Sequence, residues 1–258
     1  MRETLEIIRA AANRHGLNLV AAVPVERYDE TVPSASRASQ IAPRARSIVA
    51  IANGGGVFWR AYQKHLAANP GWDARENPLD DFTREIVERE ITAPLDRRAI
   101  PFNTIYPFVS AAPAVPALNF MHLGKIAGLG GPSIIGVVVH PAYGPWIAFR
   151  AAILLEEPID SPGEAVGFDP CPGCVSRSCI DACPVRAVSF PNGWDVPACL
   201  TYRVENESDC SGGCHARIGC VLGPEHRYPD DELAYHQMRA VRAMRPYYET
   251  MIKPKRAK

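Results

Sequence analysis

The residues of this chain with the clearest capacity for chemistry are eight cysteines, all of which fall between Cys171 and Cys220. They are Cys171, Cys174, Cys179, Cys183, Cys199, Cys210, Cys214 and Cys220, and the other 208 of the 258 residues contain none. The spacing reads C-x2-C-x4-C-x3-C-P, a lone cysteine, then C-x3-C-x5-C. Eight thiolates are the ligand complement of two [4Fe–4S] clusters, and the C-x2-C opening and C-x3-C-P ending are those of bacterial cluster loops, with two extra residues before Cys179. Pro184 fixes φ and removes a donor directly after the fourth cysteine. Two rival chemistries use cysteines. Zinc favours paired C-x2-C knuckles, of which this chain has one, and disulfides favour small secreted domains. The chain opens on charged Arg2 and Glu3 instead of an apolar leader, and is long enough to bury a core without staples. Free thiols in a reducing, cytoplasmic setting are therefore the expectation.

Composition narrows the partners. With 28 basic and 28 acidic residues the net charge is zero, which excludes a broad nucleic-acid footprint. No apolar run reaches membrane-spanning length, so no membrane partner is expected. Twenty-four prolines and 19 glycines require that much of the chain be loop.

Several elements must position the cysteines. Leu5, Ile8, Ala11 and Ala12 recur at helical spacing ahead of Gly16, predicting an amphipathic helix over residues 2–15. Strands are predicted over 19–25 and over 48–52, the second apolar throughout and so buried on both faces. Asn53-Gly54-Gly55-Gly56 follows; such a loop can cradle phosphate, but without a G-x-G-x-x-G pattern or a Walker lysine a plain turn is the simpler reading. Helical patterns run from Val57 and over residues 79–93, the second with a charged outer face. Residues 97–155 contain no Asp or Glu, as suits a buried core or the wall of an apolar cavity. Within them "IIGVVVHP" and "IAFRAAILLEE" read as strands, and "HLGKIAGLGG" as a helix end. A helix starting at Asp230 and stopped by Pro246 closes the chain, ahead of a basic tail over residues 253–258. Composition changes after Ser161-Pro162-Gly163, which divides the chain into an α/β domain (1–164) and a cysteine module with a C-terminal helix (165–258).

Ala127-Gly128-Leu129-Gly130, His140-Pro141-Ala142-Tyr143-Gly144-Pro145-Trp146, "RARSIVAIA" at 44–52 and "CLTYRVE" at 199–205, taken with the cysteine run, resemble the epoxyqueuosine reductase family. Those are cobalamin-dependent enzymes of tRNA queuosine synthesis, related in architecture to reductive dehalogenases. The resemblance implies an α/β (α+β) fold: a nitroreductase-like sandwich domain that binds cobalamin, followed by a ferredoxin-like module with two [4Fe–4S] clusters. It implies interleaved ligands, with Cys171, Cys174, Cys179 and Cys220 on one cluster and Cys183, Cys199, Cys210 and Cys214 on the other. It also implies electron supply from a flavodoxin or ferredoxin, and corrinoid contacts at Gly128, Gly130, His140, Tyr143 and Trp146.

Read as residues alone, those five have plainer roles: Gly128 and Gly130 as helix cap and turn, His140 as a packed imidazole, Tyr143 and Trp146 as structural aromatics. The chain departs from the family where an acidic proton donor would stand, at "VSAAPAVPA" (109–117), so queuosine reduction itself is not expected. Tyr106, Ser110, His122 and His140 are the groups that could replace it for some other small-molecule substrate. With no helical-repeat tail, tRNA is not expected as a partner. A non-catalytic dicluster ferredoxin and a corrinoid-reducing or corrinoid-trafficking protein are the alternatives.

Overall fold

A computed structural model describes residues 2–108, 116–159 and 167–253. The chain forms two compact units that are not divided at one point: residues 1–130 with 147–168, and residues 131–146 with 169–258.

In the first unit, α1 (Arg2–Arg14) covers β1 (Leu19–Pro24), as the apolar periodicity predicts. The centre is β2 (Ser47–Gly54), in which every residue is buried. It lies between β1 and β4 (Ile147–Leu155), and β3 (Phe102–Ile105) completes the order β1-β2-β4-β3. All pairings are antiparallel, with Ala50 opposite Ala21 on one side and Ala152 on the other. These three small residues share one face of the sheet. The helix α2 (Val57–Ala68) and α3 (Pro78–Ile86) meet through Phe58, Tyr62 and Phe82, with Phe58 and Phe82 ring centroids 5.4 Å apart. Beyond α3 a π-helical turn (Val87–Thr92) keeps Val87 and Ile91 buried while Glu88, Arg89 and Glu90 stay in water. The carboxylate-free stretch thus supplies β3, α4 (Phe120–Ile126) and the core strand β4.

The glycine loop after β2 is a turn. The Asn18 side-chain amide donates to the Gly54 carbonyl at 3.2 Å and accepts from the Gly54 N–H at 2.8 Å, pinning the end of β2 to the residue just before β1.

In the second unit, α5 (Ser178–Ala182), the short hairpin β5 (Val188–Ser189) and β6 (Gly193–Trp194), α6 (Val196–Glu205), α7 (His215–Ile218) and α8 (Asp230–Tyr247) follow in order. Two expectations fail. "IIGVVVHP" is not a strand: residues 131–144 make only the isolated bridges Gly131–Val139 and His140–Gly144. Gly136 has φ +76°, and a Cβ there would lie 2.5 Å from the Trp194 ring, so the segment bends onto the cysteine unit instead of joining the sheet. Pro246 does not stop the last helix, which continues through a π-helical turn (Tyr248–Ile252). Burial of Tyr248 and Ile252 against Leu200 favours continuation.

Candidate metal centre

All eight cysteines are free, half-buried thiols. Four of them have raised pKa values, and the neighbouring cysteines that act on those four fall into two sets. The Cys179 thiol is pushed up by burial, then by Cys220, Cys171 and Cys174; Cys220 is pushed up by burial, against an amide hydrogen bond from Leu222, and then by Cys171 and Cys174. Cys199 is raised by burial and by Cys214 and Cys183, while burial, Cys214, Cys199 and Cys183 raise Cys210 to about 11. No thiol of one group perturbs a shifted thiol of the other.

Local geometry explains why residues so distant in sequence meet. Cys179 lies on α5 and Cys220 just beyond α7. A Cβ on Gly219 would lie 2.8 Å from Ala182 Cβ and 3.3 Å from Cys179 Cα, so only glycine lets these two short helices touch. Ser178 Oγ clamps the contact by donating to the Gly219 carbonyl at 2.6 Å. A cavity of about 230 Å³ opens beside Cys171, Cys174, Cys179 and Cys220, lined otherwise mainly by apolar side chains such as Ile134, Ile135, Val139 and Leu222.

Eight cysteine thiols are the donor type that iron–sulfur clusters use. Among the described residues no three His, Cys, Asp or Glu side chains converge tightly enough for a single metal ion. In a cubane each thiolate takes its own iron, so its ligands must stand wider apart than those of a zinc site. Burial, and then neighbouring thiols, raise the pKa values of Cys179 and Cys210, so binding a cation would release protons and couple loading to pH.

The His140–Trp146 motif belongs to the same unit, as the scaffold for the last cysteine. His140 Nδ1 accepts from the Ala142 and Tyr143 amides at 3.0 and 3.2 Å, so its proton resides on Nε2. Burial, then the neighbouring His226, holds its pKa down. Tyr143 packs between His140 and His226, with centroids 5.1 and 4.5 Å away. Trp146 is 1% exposed and forms a core with Tyr228 and Leu233. Gly144 (φ +55°) and Gly223 (φ +56°) pass so closely that a Cβ on Gly144 would lie 1.9 Å from the Leu222 carbonyl oxygen. That same Leu222 serves the Cys220 sulfur. Arg217 ties the two strands of chain together, donating from Nε and Nη2 to the Pro145 carbonyl at 3.0 and 2.6 Å.

In the first unit, Gly128 (φ +72°) caps α4, and the Gly128 and Leu129 amides close the helix end on Lys125 and Gly124 carbonyls; Gly130 adopts φ +137°. Of the proton-donor candidates, Ser110 lies outside the described residues, as do most of "VSAAPAVPA", the boundary segment 160–166 and the tail from 254. The Tyr106 hydroxyl faces Glu88 at 3.5 Å, with its pKa raised by burial and then by that carboxylate. His122 Nε2 contacts Thr31 Oγ1 at 2.8 Å, its pKa lowered by burial and then by Lys125.

Sequence reasoning missed three residues. Trp194 donates its indole N–H to Cys199, Arg203 acts on Cys199 and Cys210, and Arg217 anchors the His140–Trp146 turn. Only Arg203 had a readable signal, standing four residues after Cys199 on one helix face.

No family model matches the chain, and no curated protein matches it in sequence. Solved structures do. An epoxyqueuosine reductase bound to a tRNA-Tyr epoxyqueuosine-modified stem loop matches with TM-score 0.57 and 15% identity, over 89% of this chain and 67% of that one. The C. elegans B12-trafficking protein CblC matches with TM-score 0.61 and 15% identity, over 97% and 99% of the two chains. A catabolic reductive dehalogenase in complex with 3-bromo-4-hydroxybenzoic acid matches with TM-score 0.53 and 20% identity, over 92% of this chain and 34% of that one. The likeness is one of fold. Among the described residues no helix is long and apolar enough to cross a membrane.

Proposed function

We propose that this chain is a redox protein that carries two [4Fe–4S] clusters and passes single electrons from a small donor protein to a corrinoid. The observation that supports the reading is eight free thiols, four of which, Cys171, Cys174, Cys179 and Cys220, line one cavity. Cys171, Cys174, Cys179 and Cys220 would hold one cluster, and Cys183, Cys199, Cys210 and Cys214 the other. The clusters supply one-electron storage; the chain supplies thiolates, a largely apolar cavity at the first tetrad that limits water, and hydrogen bonds to sulfur from Trp194 and Leu222. The corrinoid part rests on the sequence resemblance together with fold neighbours that include a B12-trafficking protein and epoxyqueuosine reductases. No protein residue is assigned to cobalt, because His140 is engaged by its own turn. A second reading, reduction or handover of a corrinoid without substrate turnover, is favoured by the B12-trafficking protein's match along nearly its whole length.

Anaerobic reconstitution tests both. About eight irons and eight sulfides per chain are expected. Cobalamin added to the loaded protein should change its visible absorbance on reduction. Four irons or fewer would refute the two-cluster reading, and unaltered cobalamin spectra with full iron would refute the corrinoid part. Transfer of bound cobalamin to an acceptor protein would select the second reading.

A further inference from the structure

The two tetrads differ in the charge built around them. The cavity beside Cys171, Cys174, Cys179 and Cys220 is lined by one arginine, Arg177. Arg177, which lines that cavity, sets its guanidinium 4.2 Å from the Phe190 ring centroid. The second tetrad faces Arg203, a guanidinium only 7% exposed. It stands on α6 four residues after Cys199 and lines a cavity together with Cys210. Its Nη2 donates to the Gln237 carbonyl at 3.1 Å, whereas its Nε–H is buried and finds no acceptor. Among the described residues Arg203 makes no ion pair. Glu207, which lines the same roughly 300 Å³ cavity, is taken by Arg245.

A buried, unpaired guanidinium costs several kcal/mol unless an anion answers it. A cubane with four thiolates is such an anion and becomes more negative on reduction, so a fixed cation beside it favours the reduced form. We propose that Arg203 is the electrostatic and hydrogen-bonding partner of the cluster at Cys183, Cys199, Cys210 and Cys214, and that it makes this the higher-potential cluster of the two. A chain holding one electron then holds it there. The proposal rests on the two-cluster reading above.

The test uses the full reconstituted chain, with iron and sulfide counted before any redox measurement. Dithionite with mediators delivers one electron per cluster, no proton being required, and EPR follows each reduction. The wild type should give two midpoints. Arg203→Gln should lower the upper midpoint and leave the lower one in place, with at least a tenfold change in the one-electron equilibrium, equivalent to about 59 mV. Arg203→Lys, which keeps the charge, should recover most of that shift. Full iron with both midpoints unmoved in Arg203→Gln, or a shift confined to the lower midpoint, overturns the proposal while leaving two clusters intact. Fewer than about eight irons in the wild type would instead defeat the underlying reading. If Arg203→Gln fails to load, wild-type protein labelled with ¹⁵N at arginine Nε decides. A nitrogen coupling on the first-reduced cluster supports the proposal, and its absence overturns it.

Discussion

Replacing Gly144 by alanine should release Cys220 from the cluster site. Two costs add at this position. The left-handed backbone at φ +55° costs an L-residue about 1–2 kcal/mol. The new Cβ would also lie 1.9 Å from the Leu222 carbonyl oxygen, a backbone atom that cannot rotate away, and such overpacking costs about 1–3 kcal/mol. The sum is about 2–5 kcal/mol, or a fall of roughly 5–15 °C in the unfolding midpoint for a chain of this size. Because Leu222 supplies the amide to Cys220, the displaced backbone also moves a ligand. Reconstituted Gly144→Ala should therefore hold about four irons in place of eight. Gly71→Ala is the control: φ there is +85°, but nothing lies within 4 Å of the added Cβ, so only the conformational cost of about 1–2 kcal/mol applies and iron stays full. Calorimetry and iron analysis on the two variants read the difference. Equal midpoints together with full iron in both would refute the claim that the His140–Trp146 turn holds the last cysteine.

Other outcomes follow from the same geometry. Trp194→Phe removes the N–H donated to Cys199 and should make one cluster's midpoint more negative in an EPR-monitored titration, leaving the other unchanged. Cys179→Ser and Cys171→Ser should abolish the same EPR signal, and Cys183→Ser and Cys199→Ser the other; crossed losses would refute the tetrads. His140 has a folded pKa held below the ordinary 6.5, so on acidification the unfolded state takes up its proton first. Its stabilising contribution is complete above about pH 6.5 and is lost as pH falls through the lower folded pKa. His140→Asn, whose side-chain oxygen can still accept from the turn amides, should flatten the fall in thermal midpoint on acidification below about pH 6.5.

Much of the first unit was legible in residue patterns, because its elements answer local rules. The period of Leu5, Ile8 and Ala12, the unbroken apolar run of β2 and the turn at Gly54 each follow from side chains that must be buried or backbone that must bend. Where patterns misled, tertiary packing had outweighed them. "IIGVVVHP" has strand composition, yet Trp194 lies against Gly136, and burial on the cysteine unit competes with sheet pairing. Pro246 lacks an N–H, yet Tyr248 and Ile252 gain more from reaching Leu200 than the helix loses.

The cysteines mark the same division. Their number, type and confinement to residues 171–220 belong to the sequence alone, and their spacing points to iron–sulfur chemistry whatever the fold. Which thiols stand together, and what charge stands beside them, depended on contacts across tens of residues. Gly219 draws α7 onto α5, Leu222 rests on Gly144, and a buried Arg203 lines a cavity with Cys210. Spacing along a chain records the loops between ligands. Proximity, burial and field arise only once those loops have closed.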